Sequence, residues 1–151
     1  MPPSRKQLKE FRMSELEKNK LIYHRFIQEI FNEGHFDKIE ELVSPSYILR
    51  DAPPGTPIGP EAIKQSVLMF RTAFPDLKIT IEELIAEGST LAARSVLKGT
   101  HRGSIFGIAG TGKTVCMPSL TMVRIIAGRL CESWVRSDVM GLMKQLGHEQ
   151  G

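Results

Sequence analysis

An α+β fold is predicted by two observations: the hydrophobic period changes partway along the chain, and helices come before strands. Up to Phe74 apolar residues recur at helical spacing, whereas from Asp76 onward they alternate as they do in strands. Helices followed by an antiparallel meander exclude the strand–helix alternation of a parallel sheet. The 151 residues make one domain with a substantial core, and no repeat or low-complexity tract divides them.

Residues 14–32 place Leu16, Leu21, Ile22, Phe26, Ile27, Ile30 and Phe31 on one helical face, with Ser14 as the expected cap. The basic stretch 1–13 is set apart as an N-terminal extension, expected to be flexible, which leaves 14–148 as the domain. A turn at 33–37 leads into a short helix that ends near Pro45, followed by a short strand at 47–51. Four prolines between Ala52 and Pro60 forbid regular structure there. The next helix, 61–74, carries Ile63, Val67, Leu68 and Phe70 on one side. Strands are expected at 77–85, 91–100, 113–126 and 129–137, and a terminal helix starts near Val139. A strongly curved sheet wrapped on the helices would enclose a pocket.

Apolar residues make up 41% and charged residues 25%, the balance of a soluble domain, and no apolar run is long enough to span a bilayer. The start lacks the apolar centre of a secretion signal, so a cytoplasmic location is expected. Twenty Lys and Arg against 17 Asp and Glu give a net charge of only +3, concentrated in the first 25 residues, which argues for a solvated tail over a nucleic-acid surface. Cys116 and Cys131 lie too far apart for a disulfide in the hairpin register below, and are expected to be buried, reduced thiols.

The stretch GIAGTGKT, residues 107–114, satisfies the phosphate-binding loop pattern GxxxxGK[ST]. Such a loop works by opening a helix whose N-terminal amides hold the phosphates. Here the residues after it are β-branched and include Pro118, which reads as a strand. The segment is therefore expected to connect two antiparallel strands and to bind no nucleotide.

A two-residue turn at Ala127 and Gly128 sets Ile126 opposite Arg129. In an unbroken ladder Thr121 then faces Trp134, Ser119 faces Arg136, and Met117 faces Asp138. That register gathers an indole, a guanidinium, a carboxylate and small hydroxyls on one patch of sheet. Asp138 has two further readings, a pair with Arg136 or a cap for the terminal helix, and a bulge near the strand end would change the face it occupies.

Five blocks in this order resemble the SnoaL-like polyketide cyclases of the nuclear-transport-factor-2-like superfamily: residues 19–47, DAPPGTPIGPEAIK at 51–64, FPDLKITIEELIAEG at 74–88, GTHRGSIFGIAGTGK at 99–113, and ESWVRSDVMGLMKQLG at 132–147. The resemblance implies a cone-shaped, curved mixed or antiparallel sheet packed on N-terminal helices around a pocket, in a homodimer. It also implies intramolecular aldol chemistry with no metal or organic cofactor, and the W-x-x-x-D pattern maps the catalytic acid onto Asp138. An acid in an apolar cavity acquires the raised pKa that lets it take and return a proton. Arg50 replaces the histidine of a His-Asp pair completed by Asp51, and Ser133 stands where relatives often carry histidine before Trp134. An arginine clamps an oxyanion but relays no proton.

The candidate site is thus Asp138 as catalyst, with Trp134, Arg136, Arg50, Asp51, His101, Met117, Ser119, Phe70 and Phe74 as ligand contacts. The expected activity is a cyclase or isomerase working on a hydrophobic, oxygenated small molecule. A non-catalytic binding domain on the same fold and an epoxide or ester hydrolase are the alternatives. Leu120, Met122 and Val135 are expected on the outer sheet face, as the dimer contact.

Overall fold

The computed structural model describes residues 1–148, and their side chains other than those of 10–13. Helix α1 spans Arg5–Arg25 and runs on as a π-helical segment, Phe26–Asn32. A single 3-10 turn, Phe36–Lys38, and the short helix α2, Ile39–Leu42, lead into strand β1, Val43–Leu49. Helix α3 is Pro60–Ala73; strands β2, β3, β4 and β5 are Lys78–Glu87, Thr90–Thr100, Thr114–Ile126 and Arg129–Ser137; helix α4 is Val139–Gln145. The sheet is open, in the order β1-β5-β4-β3-β2, antiparallel except for the parallel β1/β5 pair. The α+β class and the helix-on-curved-sheet arrangement expected from the sequence are both present.

Two boundaries differ from the sequence reading. The first helix begins at Arg5, not after Ser14, because Ser4 closes a capping box: its hydroxyl accepts from the Gln7 amide at 3.2 Å while Gln7 Oε1 accepts from the Ser4 amide at 2.8 Å. Strand β1 begins at Val43 and runs through Pro45, where the sequence suggested a helix end. An edge strand tolerates the missing donor of a proline, and β1 is an edge.

Pro118 sits inside β4 for a related reason. Its carbonyl accepts from the Asp138 amide at 3.0 Å, so its nitrogen faces the same side, where β5 has already ended at Ser137. The concave face carries the main core: Leu91, Ala93, Val123, Ile125 and Leu130 from the sheet pack against Tyr23, Phe26, Ile30, Ile63 and Val67 from the helices. A second cluster, around Phe74, Leu97, Val115, Met117 and Leu142, closes the α4 end.

The glycine-rich stretch joins β3 to the antiparallel β4, as the sequence indicated. Gly110 lies so close to the Arg102 carbonyl that a Cβ would stand 2.1 Å from its oxygen. Backbone proximity accounts for that glycine, and Thr114 after Lys113 is the first residue of a strand.

The β4/β5 hairpin begins as expected, with Ala127 and Gly128 both at positive φ and Ile126 opposite Arg129. After Ile125 and Leu130 a bulge intervenes. Arg124 pairs with Glu132, and Cys131 is the extra residue, its thiol donating to the Arg124 carbonyl at 3.3 Å. Beyond the bulge every β5 side chain changes face relative to the unbroken ladder. Trp134 now pairs with Met122, Arg136 with Leu120, Val135 with Thr121 and Ser137 with Ser119. Neither cysteine is fully buried, contrary to expectation: Cys116 lies on the outward parity of β4 and is exposed, and Cys131 in the bulge is half-buried.

Candidate active site

A cavity of about 480 Å³ lies between the concave sheet face and the helices. Its walls are apolar, with Phe26, Ile27 and Phe31 of the π-helical segment, Ile63 and Phe70 of α3, and Met117 of β4 among them. Its floor is a set of small hydroxyls, Ser95, Ser119, Thr121, Ser133 and Ser137, that point inward from three adjacent strands. Ser119 and Ser137 hydrogen-bond to each other at 2.7 Å. Two phenols complete the polar set. Burial pushes the Tyr23 phenol up to about 12, with the hydroxyls of Thr121 and Ser95 pulling the other way. Burial likewise raises Tyr47, whose phenol lies by Ser133.

Of the residues singled out in the sequence, Phe70, Met117, Ser119 and Arg136 line this cavity. Asp138 sits beside it, between the lining residues Ser137 and Val139, as the cap of α4, with Oδ1 accepting from the Gly141 amide at 2.9 Å. Arg136 pairs with Asp51 at 2.6 Å rather than with Asp138. Trp134 and Arg50 lie on the opposite, convex face of the sheet or at its rim. Glu132, nearly buried, is held between Arg50 Nε at 2.7 Å and Arg124 Nη1 at 2.8 Å, and the Arg124 guanidinium stands 5.8 Å from the Trp134 ring centre.

His101 is fully buried and sealed off from the cavity. The Thr111 amide donates to its Nδ1 at 3.2 Å, the Thr111 hydroxyl lies 3.0 Å from the same nitrogen, and Phe74 packs 5.7 Å away. Phe74 belongs to the second core cluster, and neither ring is in the cavity lining.

The sequence reading passed over Tyr23, Tyr47, Ser66, Ser95, Ser133 and Ser137 as lining groups. A signal existed in Ser95, Ser119 and Thr121, whose odd positions share a parity with the core residues of β3 and β4. For Ser133 and Ser137 the bulge hides it. The expected outward position of Val135 is corrected by the same shift, since it lines the cavity, and Trp134 takes its place outside. The convex face carries a shallow groove lined by Ile85, Ala92, Leu120, Met122 and Trp134, in which Ile85 and Leu120 are each 61% exposed.

A one-sided helical layer over a curved, open sheet, with a ligand-sized cavity between them, defines a class of small-molecule-handling domain. The chain matches the SnoaL-like polyketide cyclase family over residues 21–146 and belongs to it. It is 28% identical over 127 residues to the aklanonic acid methyl ester cyclase DnrD of Streptomyces peucetius, covering 82% of this chain and 87% of that one. It is 29% identical over 120 residues to the nogalonic acid methyl ester cyclase of Streptomyces nogalater, covering 78% and 89%. Among solved structures, IdmH from Streptomyces antibioticus superposes with a TM-score of 0.74 at 30% identity, covering 86% of this chain and 99% of that one. TsrD from Streptomyces laurentii gives 0.80 at 24% identity, covering 87% and 96%, a likeness of fold. Among the described residues no helix is long and apolar enough to cross a membrane.

Proposed function

We propose that this chain is a cofactor-independent cyclase or isomerase that takes a hydrophobic, oxygenated small molecule into the concave-face cavity, with Asp138 as the proton-transfer group at its rim. The observation that carries this reading is the cavity itself: apolar walls suit a ring system, and a hydroxyl floor suits its oxygens. Asp138 has support from two sides. It matches the family's acidic position, and its chain neighbours Ser137 and Val139 both line the cavity. In ring closure the carboxylate would remove a proton next to a carbonyl. The carbanion would then attack a second carbonyl in the same molecule, and the new alkoxide would take the proton back from the carboxylic acid. The Arg136–Asp51 pair, at the same rim, would bias the mouth towards polar substituents left outside.

One observation favours a second reading, a binding domain without turnover. Apart from Arg136 and the two phenols, every side chain lining the cavity is uncharged at all pH values, and no carboxylate or imidazole is among them. Aklanonic acid methyl ester, named in the relatives' activity, separates the two. Incubated with the chain and a chelator, it should be converted to a cyclised product resolved by chromatography. Stoichiometric binding with no conversion would establish the second reading in place of the first.

We also propose that the convex face pairs two copies of the chain. Ile85, Leu120 and Met122 form an exposed apolar strip on the convex face, with Trp134 beside it. Light scattering should give twice the 16.9 kDa chain mass, and Leu120→Glu should give the monomer mass. A wild-type monomer at micromolar concentration would refute the pairing.

A further inference from the structure

We propose that Tyr23, Ser95 and Thr121 form the specificity-determining anchor of the cavity, a cluster of hydroxyl donors that grips a carbonyl oxygen of a fused-ring ketone or quinone. The inference rests on the cavity being the ligand site, and adds which atoms of the ligand it reads. The three groups come from three elements, α1, β3 and β4. Because Ser95 pairs with Ser119 and Ala93 with Thr121, Ser95 and Thr121 are diagonal neighbours on the concave face. The Tyr23 side chain crosses over them from the helical layer and lines the same cavity.

What distinguishes this cluster from the rest of the floor is an unused hydrogen bond. Ser119 and Ser137 satisfy each other, and Ser66 donates to the Ala62 carbonyl at 3.2 Å. Ser95 is 5% exposed and its Oγ has no partner in hydrogen-bonding geometry among the described residues; the Tyr23 phenol, near enough for the Ser95 hydroxyl to lower it, is not aligned to bond it. Buried hydroxyls are almost always paired, so an unpaired one that faces a cavity points to a ligand atom. The phenol beside it remains protonated across the physiological range, which fixes it as a neutral O–H able to donate. Leu97, Phe26 and Ile27, which line the same cavity, have apolar side chains that offer no competing polar contact.

The position of the cluster also constrains the ligand. Thr121 is three residues along β4 from Pro118, whose carbonyl receives the Asp138 amide, a distance of roughly 10 Å along an extended strand. An oxygen held at the anchor is therefore remote from a carbon within reach of Asp138. The ligand that satisfies both is several fused rings long and carries a carbonyl at the end opposite the reacting one.

The test uses the whole chain with two bicyclic probes, 1-tetralone and tetralin, which differ by one carbonyl oxygen. Calorimetric titration should show the wild type preferring the ketone by about tenfold, the worth of one to two neutral hydrogen bonds. Ser95→Ala should reduce that preference severalfold while leaving thermal stability unchanged or higher, since it deletes an unpaired buried hydroxyl. Tyr23→Phe should do the same. Its folding is checked by an independent signature: the raised phenol stays protonated in the folded chain while the unfolded phenol ionises from pH 10, so wild-type stability falls as the pH rises from 10 through about 12. Tyr23→Phe should flatten part of that fall. Should Tyr23→Phe not fold, Ser95→Ala decides alone.

An undiminished ketone preference in the folded variants would overturn the anchor and leave the cavity reading intact. Binding of neither probe to the wild type, or binding of both that a cavity-filling Ser66→Trp leaves unchanged, would overturn the cavity reading and the anchor together.

Discussion

Replacing Gly59 with alanine should lower stability by about 2 to 4 kcal/mol and abolish ligand binding in the cavity. Gly59 has φ 89° and ψ −163°, a backbone conformation open to glycine and strained for any other residue. A Cβ added there would stand 2.6 Å from the Pro45 carbonyl oxygen, while the Gly59 amide donates to the Tyr47 carbonyl at 2.8 Å. The residue therefore pins the head of α3 against edge strand β1. Pro60 then starts the helix at a position that needs no donor. Because α3 presents Ile63, Ser66 and Phe70 to the cavity, any shift that relieves the contact moves one cavity wall. Gly55 is the control. It also has positive φ, 88°, but a Cβ there meets nothing within 4 Å, so Gly55→Ala should cost only about 1 kcal/mol for the backbone. Urea denaturation of the two variants isolates the contact with Pro45, and equal midpoints would show that it contributes nothing.

Hydrophobic period carries most of the fold in this sequence, because burial on one face of a helix or strand is a property of spacing alone. The hairpin turn was legible too, since Ala127-Gly128 between β-rich runs supplies the positive φ that a tight turn requires. Register beyond the turn was not. The bulge at Cys131 is one unpaired residue with no side-chain chemistry to announce it, and it pairs Trp134 with Met122 and Arg136 with Leu120 in place of Thr121 and Ser119. Polar residues chosen from the unbroken ladder therefore fall partly outside the cavity. The helix start was missed for a different reason: Ser4-x-x-Gln7 and Ser14-x-x-Glu17 both fit a capping box, and with no glycine or proline between them the helix runs unbroken from the first. Motif resemblance recovered the family independently of either error, as it depends on block order and not on register.

Asp138 serves two structural neighbours at once, and that makes its replacement by asparagine the sharper of the available substitutions. An asparagine amide oxygen can accept from the Gly141 amide as the carboxylate does, and asparagine and aspartate are equally good caps. Asp138→Asn should therefore melt with the wild type and bind the ligand as tightly. What it loses is the capacity to accept and return a proton, so turnover should fall by about two to four orders of magnitude. Asp138→Ala removes the cap as well and should cost about 1 kcal/mol of stability. The close fit at α4 provides a check that leaves the carboxylate in the chain. A Cβ on Gly141 would stand 2.2 Å from Asp138 Oδ2, so Gly141→Ala must swing the carboxylate out of its observed position. Under the proton-transfer reading that displacement lowers turnover although Asp138 is still present. Full activity in Asp138→Asn would instead identify the residue as a helix cap, and the acid and base of any reaction would then have to come from the substrate itself or from water.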